Sequence, residues 1–143
     1  MNRKELIIVA LNSGHRFTPV QVQKLFFLID RNISNQLGGP FFNFSPYDYG
    51  PFDKEIYKEL LSLQSEGIVK INAEANSARR SYQLTEKGEN EANEIKMTKI
   101  SVEALGYINS LADFIRKLSF VELVSAIYKA YPEMKINSVF AQQ

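Results

Sequence analysis

The 143-residue sequence contains no cysteine and no tryptophan, and it has a single histidine. The missing thiols exclude disulfides, cysteine-ligated zinc and cysteine nucleophiles from this chain, and they fit a reducing compartment. No stretch reaches the roughly 18 consecutive apolar residues that a membrane-spanning helix needs. The apolar run Leu6–Leu11 is too short for the core of a secretory signal peptide. We therefore expect a cytoplasmic protein.

The sequence also lacks a charge excess of either sign. Its 17 basic and 16 acidic residues give a formal net charge of +1. The excess is +2 over residues 1–52, −1 over residues 53–100 and 0 over residues 101–143. Neutralisation of phosphates drives the affinity of nonspecific nucleic-acid binders, which therefore carry more positive charge. Any contact with DNA is expected to come from a local patch.

Helical patterns dominate the first part of the chain, beginning with residues 3–13. Thr18 is a good N-cap and Pro19 suits a first turn, so a second helix is predicted after them. Its apolar residues recur at helical spacing: Val22, Leu25, Phe26, Ile29 and Ile33. The same spacing places Lys24 on the opposite, polar face. The segment Gly38–Pro40 is expected to end this helix.

A short aromatic segment, Phe41–Ser45, follows as an extended stretch or a strand that packs on the core. The Gly50-Pro51 pair then predicts the entry to a third helix over residues 51–66, with Pro51 at its first position. Asp53 and Glu55 suit the positive end of the helix dipole. Gly67 is the expected C-terminal stop.

The period of the pattern changes after Gly67. Residues 68–71 and 81–85 are β-prone, and a polar segment at 72–80 separates them, which predicts a hairpin with a long polar tip. Thr85 then caps a polar helix. A further helix is predicted over residues 100–118, and the Ser119–Glu122 capping box opens the next one. Apolar anchors are expected in the tail: Ile136, Val139 and Phe140.

Three helices, a two-stranded hairpin and further helices follow one another in the order of a winged helix. The predicted fold class is mainly α with a small β-hairpin, comprising a winged-helix-like core plus C-terminal helices. We expect residues 1–143 to form a single domain, with a C-terminal helical extension over about residues 100–143. The sequence leaves open whether these helices fold back on the core or form a homodimer.

Three stretches carry a family resemblance: QKLFFLIDRN, YDYGPFDKEIYKEL and FVELVSAIYKAYPEMKINSVF. Together they resemble a group of bacterial winged-helix proteins similar to the Panacea-type antitoxin domains. The resemblance covers about Val22 to Phe140, and Tyr49-Gly50-Pro51 is its most specific element. It implies neutralisation of a toxin, or an adaptor role, through protein–protein contact. It also implies a link to mobile or defence-associated genes.

The aromatic entry to the third helix is the predicted partner-binding surface. Its residues are Phe41, Phe42, Phe44, Tyr47, Tyr49 and Phe52. Aromatic side chains are enriched at the centres of protein interfaces, which favours a partner surface. The alternative is that most of these rings belong to the core, with the two tyrosine hydroxyls at its rim.

The alternative function is that of a winged-helix DNA-binding regulator. The candidate contacts are Lys54, Lys58, Lys70, Arg79 and Arg80. The lysines of the third helix alternate with glutamates, which is more typical of a solvated surface than of a base-reading face. Arginines at the tip of a wing can enter a minor groove or bind phosphates.

Catalytic and metal-binding patterns are weak, so the expected function is non-enzymatic, without a metal or cofactor. The single histidine, His15, has no serine or carboxylate in a recognisable triad pattern. The acidic run at residues 86–94 is typical of a solvated helical face. The leading hypothesis is a protein-binding module of antitoxin or adaptor type.

Overall fold

The computed structural model describes residues 1–14, 16–73 and 80–140. The elements, in chain order, are α1 (Arg3–Leu11), α2 (Pro19–Leu37), β1 (Ser45–Tyr47), β2 (Gly50–Phe52), α3 (Lys54–Ser65), β3 (Val69–Asn72), β4 (Ser81–Leu84), α4 (Glu86–Thr98), α5 (Val102–Lys117), α6 (Phe120–Ala130) and a 3₁₀ turn (Pro132–Lys135). The protein is mainly α-helical with two small antiparallel sheets, which confirms the predicted fold class.

Helix α1 is the centre of the core. Six consecutive residues, Leu6–Leu11, are buried, so the helix is covered on all sides rather than along one stripe. Asn2 and Glu5 form a capping box at its start and keep the polar first turn at the surface. Helices α4 and α5 and strand β4 pack around α1.

The predicted hairpin is present and is linked to the start of the chain. Strands β3 and β4 are antiparallel, with Val69 opposite Leu84 and Asn72 opposite Ser81. Phe17, between α1 and α2, pairs with Tyr82 through two backbone hydrogen bonds of 3.0 and 2.8 Å. This bridge docks the hairpin beside the first three helices and completes a winged-helix-like core.

The predicted helix caps are confirmed at several junctions. The Thr18 hydroxyl accepts from the Gln21 N–H at the start of α2, and Ser119 and Glu122 form a capping box at the start of α6. The Thr85 hydroxyl caps α4 by accepting from the Gly88 N–H. The helices end where a left-handed residue is required: Gly38 (φ +88°) follows α2, and Gly67 (φ +76°) follows α3.

The C-terminal helices fold back on the core. Helix α5 packs along α2 and against α1, with Ile108, Ala112 and Ile115 buried. Helix α6 packs on α2 and β2 and buries Leu123 and Ile127. None of the helices in the described part of the chain is long and apolar enough to span a bilayer.

Two local predictions are wrong. Pro51 lies in strand β2, not in the first turn of a helix, and α3 spans Lys54–Ser65 because the Asp53 carboxylate caps it. In the tail, the Ile136 and Val139 side chains are exposed, against the prediction, whereas Phe140 is half-buried and packs on Phe120 with ring centroids 6.0 Å apart, as predicted. The Val139 backbone N–H also donates to the Asp48 carbonyl at 2.9 Å, so a main-chain contact adds to this packing.

Candidate functional site: an aromatic hairpin and the cavity beneath it

The YDYGPF stretch forms a second hairpin that the sequence did not predict. Strands β1 and β2 are antiparallel, with Ser45 opposite Phe52 and Tyr47 opposite Gly50. Asp48 and Tyr49 form the turn between them. Gly50 has φ +105°, and a Cβ added there would lie 3.3 Å from the Tyr128 ring. Both the left-handed backbone and the close approach therefore require glycine.

A buried polar clamp joins this hairpin to α2 and α3. The Gln23 side-chain amide donates to the Asp53 carbonyl at 3.0 Å and accepts from the Asp53 N–H at 2.9 Å. The Asp53 carboxylate accepts from the Glu55 N–H, which caps α3, and from the Asn43 N–H. Because Gln23 and Asp53 are buried and paired, the end of β2 has a fixed position.

The preceding segment, residues 41–44, is extended but forms no strand. The Phe41 N–H donates to the Asp30 carboxylate at 2.9 Å. Burial raises the pKa of Asp30, against the opposing effect of this hydrogen bond. Phe42 and Phe44 pack on Phe26 and Phe27 of α2, with ring centroids 5.4 Å apart in both pairs.

The six predicted partner-binding aromatics therefore divide into two groups. Phe41, Phe42 and Phe44 are half-buried and pack against the core, as the alternative interpretation expected. Tyr47, Tyr49 and Phe52 lie on the hairpin. Tyr47 stacks on Phe52 at 4.9 Å. The six residues therefore do not form one surface: the three phenylalanines before the hairpin pack on the core, and the other three lie on the hairpin.

The hairpin tip and the start of α6 form an exposed aromatic patch. Tyr47 is 52% exposed and Tyr49 is 41% exposed. Tyr49 packs edge-on against Phe120, which is 43% exposed, and Val121 beside it is 56% exposed. We call Tyr47, Tyr49, Phe120 and Val121 the aromatic patch. Phe120 and Val121 were not among the predicted site residues, because α6 meets the hairpin only in the tertiary structure.

A cavity of about 620 Å³ lies beneath the aromatic patch. It is bounded by the start of α2, the β1–β2 hairpin, α3, Arg80 and the start of α6. Phe52 and Tyr57 contribute aromatic walls, with ring centroids 5.7 Å apart. The Tyr57 hydroxyl donates to the Pro19 carbonyl at 3.2 Å, and burial raises the pKa of Tyr57 to about 12.

Lys24 also lines this cavity and is only 3% exposed. Its Nζ donates to the Pro51 carbonyl at 3.3 Å. Among the described residues, no carboxylate forms a salt bridge with it. Burial without a counter-charge lowers the pKa of Lys24 from 10.5 to about 7.

The face of α2 that carries Lys24 is therefore not exposed to water at this position. The helical spacing does place it away from the apolar stripe, but the β1–β2 hairpin and α6 cover that face of α2. Gly50 packs directly on the lysine, since a Cβ there would lie 3.6 Å from Nζ. Nothing in the local sequence signals this burial, because a lysine on a polar helix face is normally solvated.

The candidate DNA-binding residues do not converge. Lys54 and Lys58 are exposed on α3, where Lys58 pairs with Glu55 at 3.1 Å. Lys70 is exposed on β3, and Arg80 lies at the mouth of the cavity. Arg79 lies outside the described residues. An ion pair of 2.8 Å between Arg3 of α1 and Glu59 of α3 also joins these two helices.

Within residues 1–14, 16–73 and 80–140, no group of three or more histidine, cysteine, aspartate or glutamate side chains could hold a metal ion. His15, the single histidine, lies outside those ranges.

Comparisons with known proteins give no family for this chain. No family model matches the sequence, and no curated protein matches it.

Proposed function

We propose that this protein is a non-enzymatic protein-binding module of antitoxin or adaptor type. The observation that carries the proposal is the aromatic patch, in which large rings remain exposed although a buried network fixes the hairpin that holds them. Rigid, exposed aromatic residues lose little entropy on binding and are enriched among interface hot spots. The resemblance to Panacea-type antitoxins supports a toxin as the partner.

The patch is suited to an apolar anchor from the partner. Tyr49 and Phe120 already contact each other, so a partner side chain would cover both rings at once. The surrounding surface includes the Asp48 carboxylate and the Ser119 hydroxyl, which can form a polar rim.

The experiment is affinity capture from a native lysate with three tagged proteins: the wild type, Tyr49→Ala and Phe114→Ala. Phe114 is a matched control, because it is 51% exposed but lies on α5 and does not line the cavity. The wild type and Phe114→Ala are expected to recover the same protein in a stoichiometric complex, and Tyr49→Ala is expected to lose it. Equal recovery by all three, or no recovered partner, would contradict the proposal.

A DNA-binding regulator is the alternative, favoured by two exposed cations of the β3–β4 hairpin, Lys70 on β3 and Arg80 directly before β4. Binding through phosphates weakens steeply with salt. A DNA titration at several salt concentrations, with the wild type and the Arg79→Ala/Arg80→Ala double variant, tests it. Absent binding, or binding that the double variant retains in full, excludes this alternative.

A further inference from the structure

The cavity beneath the aromatic patch has the size of a small-molecule site. Its volume of about 620 Å³ falls within the range of roughly 300–1,000 Å³ that is usual for ligand pockets. Its walls are mainly apolar and aromatic, with a few polar groups among them. This composition is typical of a ligand pocket, and three residues of the aromatic patch, Tyr47, Tyr49 and Phe120, also line the cavity.

The positive charges around the cavity are incompletely balanced. Lys24, at its buried side, has three N–H donors but one hydrogen-bond acceptor among the described residues, the Pro51 carbonyl. Arg80, which is exposed, also lines the cavity. Asp48 is the carboxylate in the lining, but it sits in the hairpin turn and forms no salt bridge with Lys24 or Arg80 within the described part of the chain.

Two helix N-termini also meet at this cavity. The first turn of α2, a helix of 19 residues, contributes Pro19, Val20 and Gln21 to the lining. The first turn of α6, a helix of 11 residues, contributes Phe120 next to its cap, Ser119. Both helix starts are capped by their own side chains, Thr18 with Gln21 and Ser119 with Glu122, so the attraction for an anion rests on the cations Lys24 and Arg80.

The aromatic walls of the cavity favour an aromatic ring in the uncharged part of a ligand. Phe52 lies between Tyr47 and Tyr57, with centroid distances of 4.9 and 5.7 Å, so the three rings form a continuous row. Phe120 lies on the α6 side. A planar ring can contact these faces with favourable stacking or edge-on geometry.

We propose that this cavity binds a small aromatic anion, with a carboxylate or sulfonate at Lys24 and its ring against the aromatic row. The anion supplies the negative charge and the acceptors that Lys24 lacks. It also favours the ammonium form of Lys24, whose pKa burial otherwise lowers. This inference does not depend on the proposed partner, because its test uses purified protein alone.

The test is a fluorescence titration with two matched probes. 1-Anilinonaphthalene-8-sulfonate carries the aromatic rings and a sulfonate, whereas N-phenyl-1-naphthylamine has the same rings without the charge. The wild type is expected to bind the sulfonate probe saturably at one site, and 2-naphthoate is expected to displace it. Lys24→Met is expected to weaken sulfonate binding at least tenfold and to change binding of the neutral probe less than twofold.

Two further variants locate the binding site. Lys54→Met removes an exposed lysine outside the cavity and is expected to change neither titration. Val20→Trp fills the cavity from the first turn of α2 while retaining its charges, and both probes are expected to lose the saturable site. This second variant decides the question if Lys24→Met does not fold, which circular dichroism and thermal melting show.

Three results would overturn the proposal: no saturable sulfonate binding by the wild type, equal weakening of both probes by Lys24→Met, or full sulfonate binding by Val20→Trp.

Discussion

Replacing Lys24 with methionine should stabilise the protein at neutral and mildly acidic pH. The ammonium is buried at 3% exposure and lacks a salt bridge with any described carboxylate, so the folded protein holds a charge that water solvates in the unfolded chain. Methionine has a similar length and no charge. It fits the same position between α2 and the β1–β2 hairpin without the desolvation cost.

The magnitude follows from the pKa of Lys24, which burial lowers from 10.5 to about 7. At about 1.4 kcal/mol for each tenfold change, the full difference is about 5 kcal/mol. The unfolded chain binds more protons between pH 7 and 10.5, so stability rises with pH across that window and is lowest below pH 7. Loss of the Pro51 hydrogen bond in Lys24→Met offsets about 1 kcal/mol.

The assay is urea unfolding of both proteins at several pH values from 6.5 to 9.5. Higher pH is avoided, because the raised pKa of Tyr57 makes the folded state less stable once tyrosines in the unfolded chain ionise. From pH 6.5 to 9.5 the wild type is expected to gain about 2–3 kcal/mol relative to Lys24→Met. Other titrating groups are common to both proteins and cancel in this difference.

Lys54→Met is the control, because this exposed lysine remains in water in the folded state. Its unfolding free energy should keep the pH dependence of the wild type. A difference between wild type and Lys24→Met that stays constant from pH 6.5 to 9.5 would refute the reasoning. It would mean that the ammonium of Lys24 is hydrated in the folded protein.

Three further predictions concern local packing and capping. Gly88→Ala should destabilise the protein by about 1–3 kcal/mol in urea unfolding, since the new Cβ would lie 2.2 Å from the Ile68 carbonyl oxygen. Gly106→Ala, at an exposed position of α5 where nothing lies within 4 Å, should instead stabilise it by about 0.5–1 kcal/mol, and destabilisation there would contradict the packing argument. Asp53→Ala removes the acceptor of the Glu55 and Asn43 N–H groups and should cost about 1–2 kcal/mol, whereas an unchanged unfolding midpoint would show that these bonds contribute nothing.

Local sequence signals predicted the helices and the wing because their causes lie within a few residues. Thr18 and Ser119 cap helices through bonds that span three positions. Gly67 stops α3 through its own backbone conformation. The change from helical to alternating spacing after it reflects which side chains can share a face. These features of the fold can therefore be predicted from the sequence without knowledge of any tertiary contact.

The YDYGPF stretch shows where local signals fail. Proline after glycine is common at a helix start, so the pair predicted one. The same residues also suit a tight hairpin, and Gln23, which lies 30 residues from Asp53 in the chain, favours that outcome by pairing with its backbone. The division of the six predicted aromatic residues into core-facing and exposed rings was consequently missed.

The sequence by itself determined the order of the helices, the caps at Thr18, Thr85 and Ser119, the wing and the aromatic character of the β1–β2 stretch, since each depends on short-range spacing and backbone preference. Only the tertiary structure decided that Phe120 joins Tyr49 and that Lys24 is buried. The physical reason is that desolvation depends on which distant segments cover a side chain. On α2 the spacing gave Lys24 a polar face, and the β1–β2 hairpin together with α6 removed it from water.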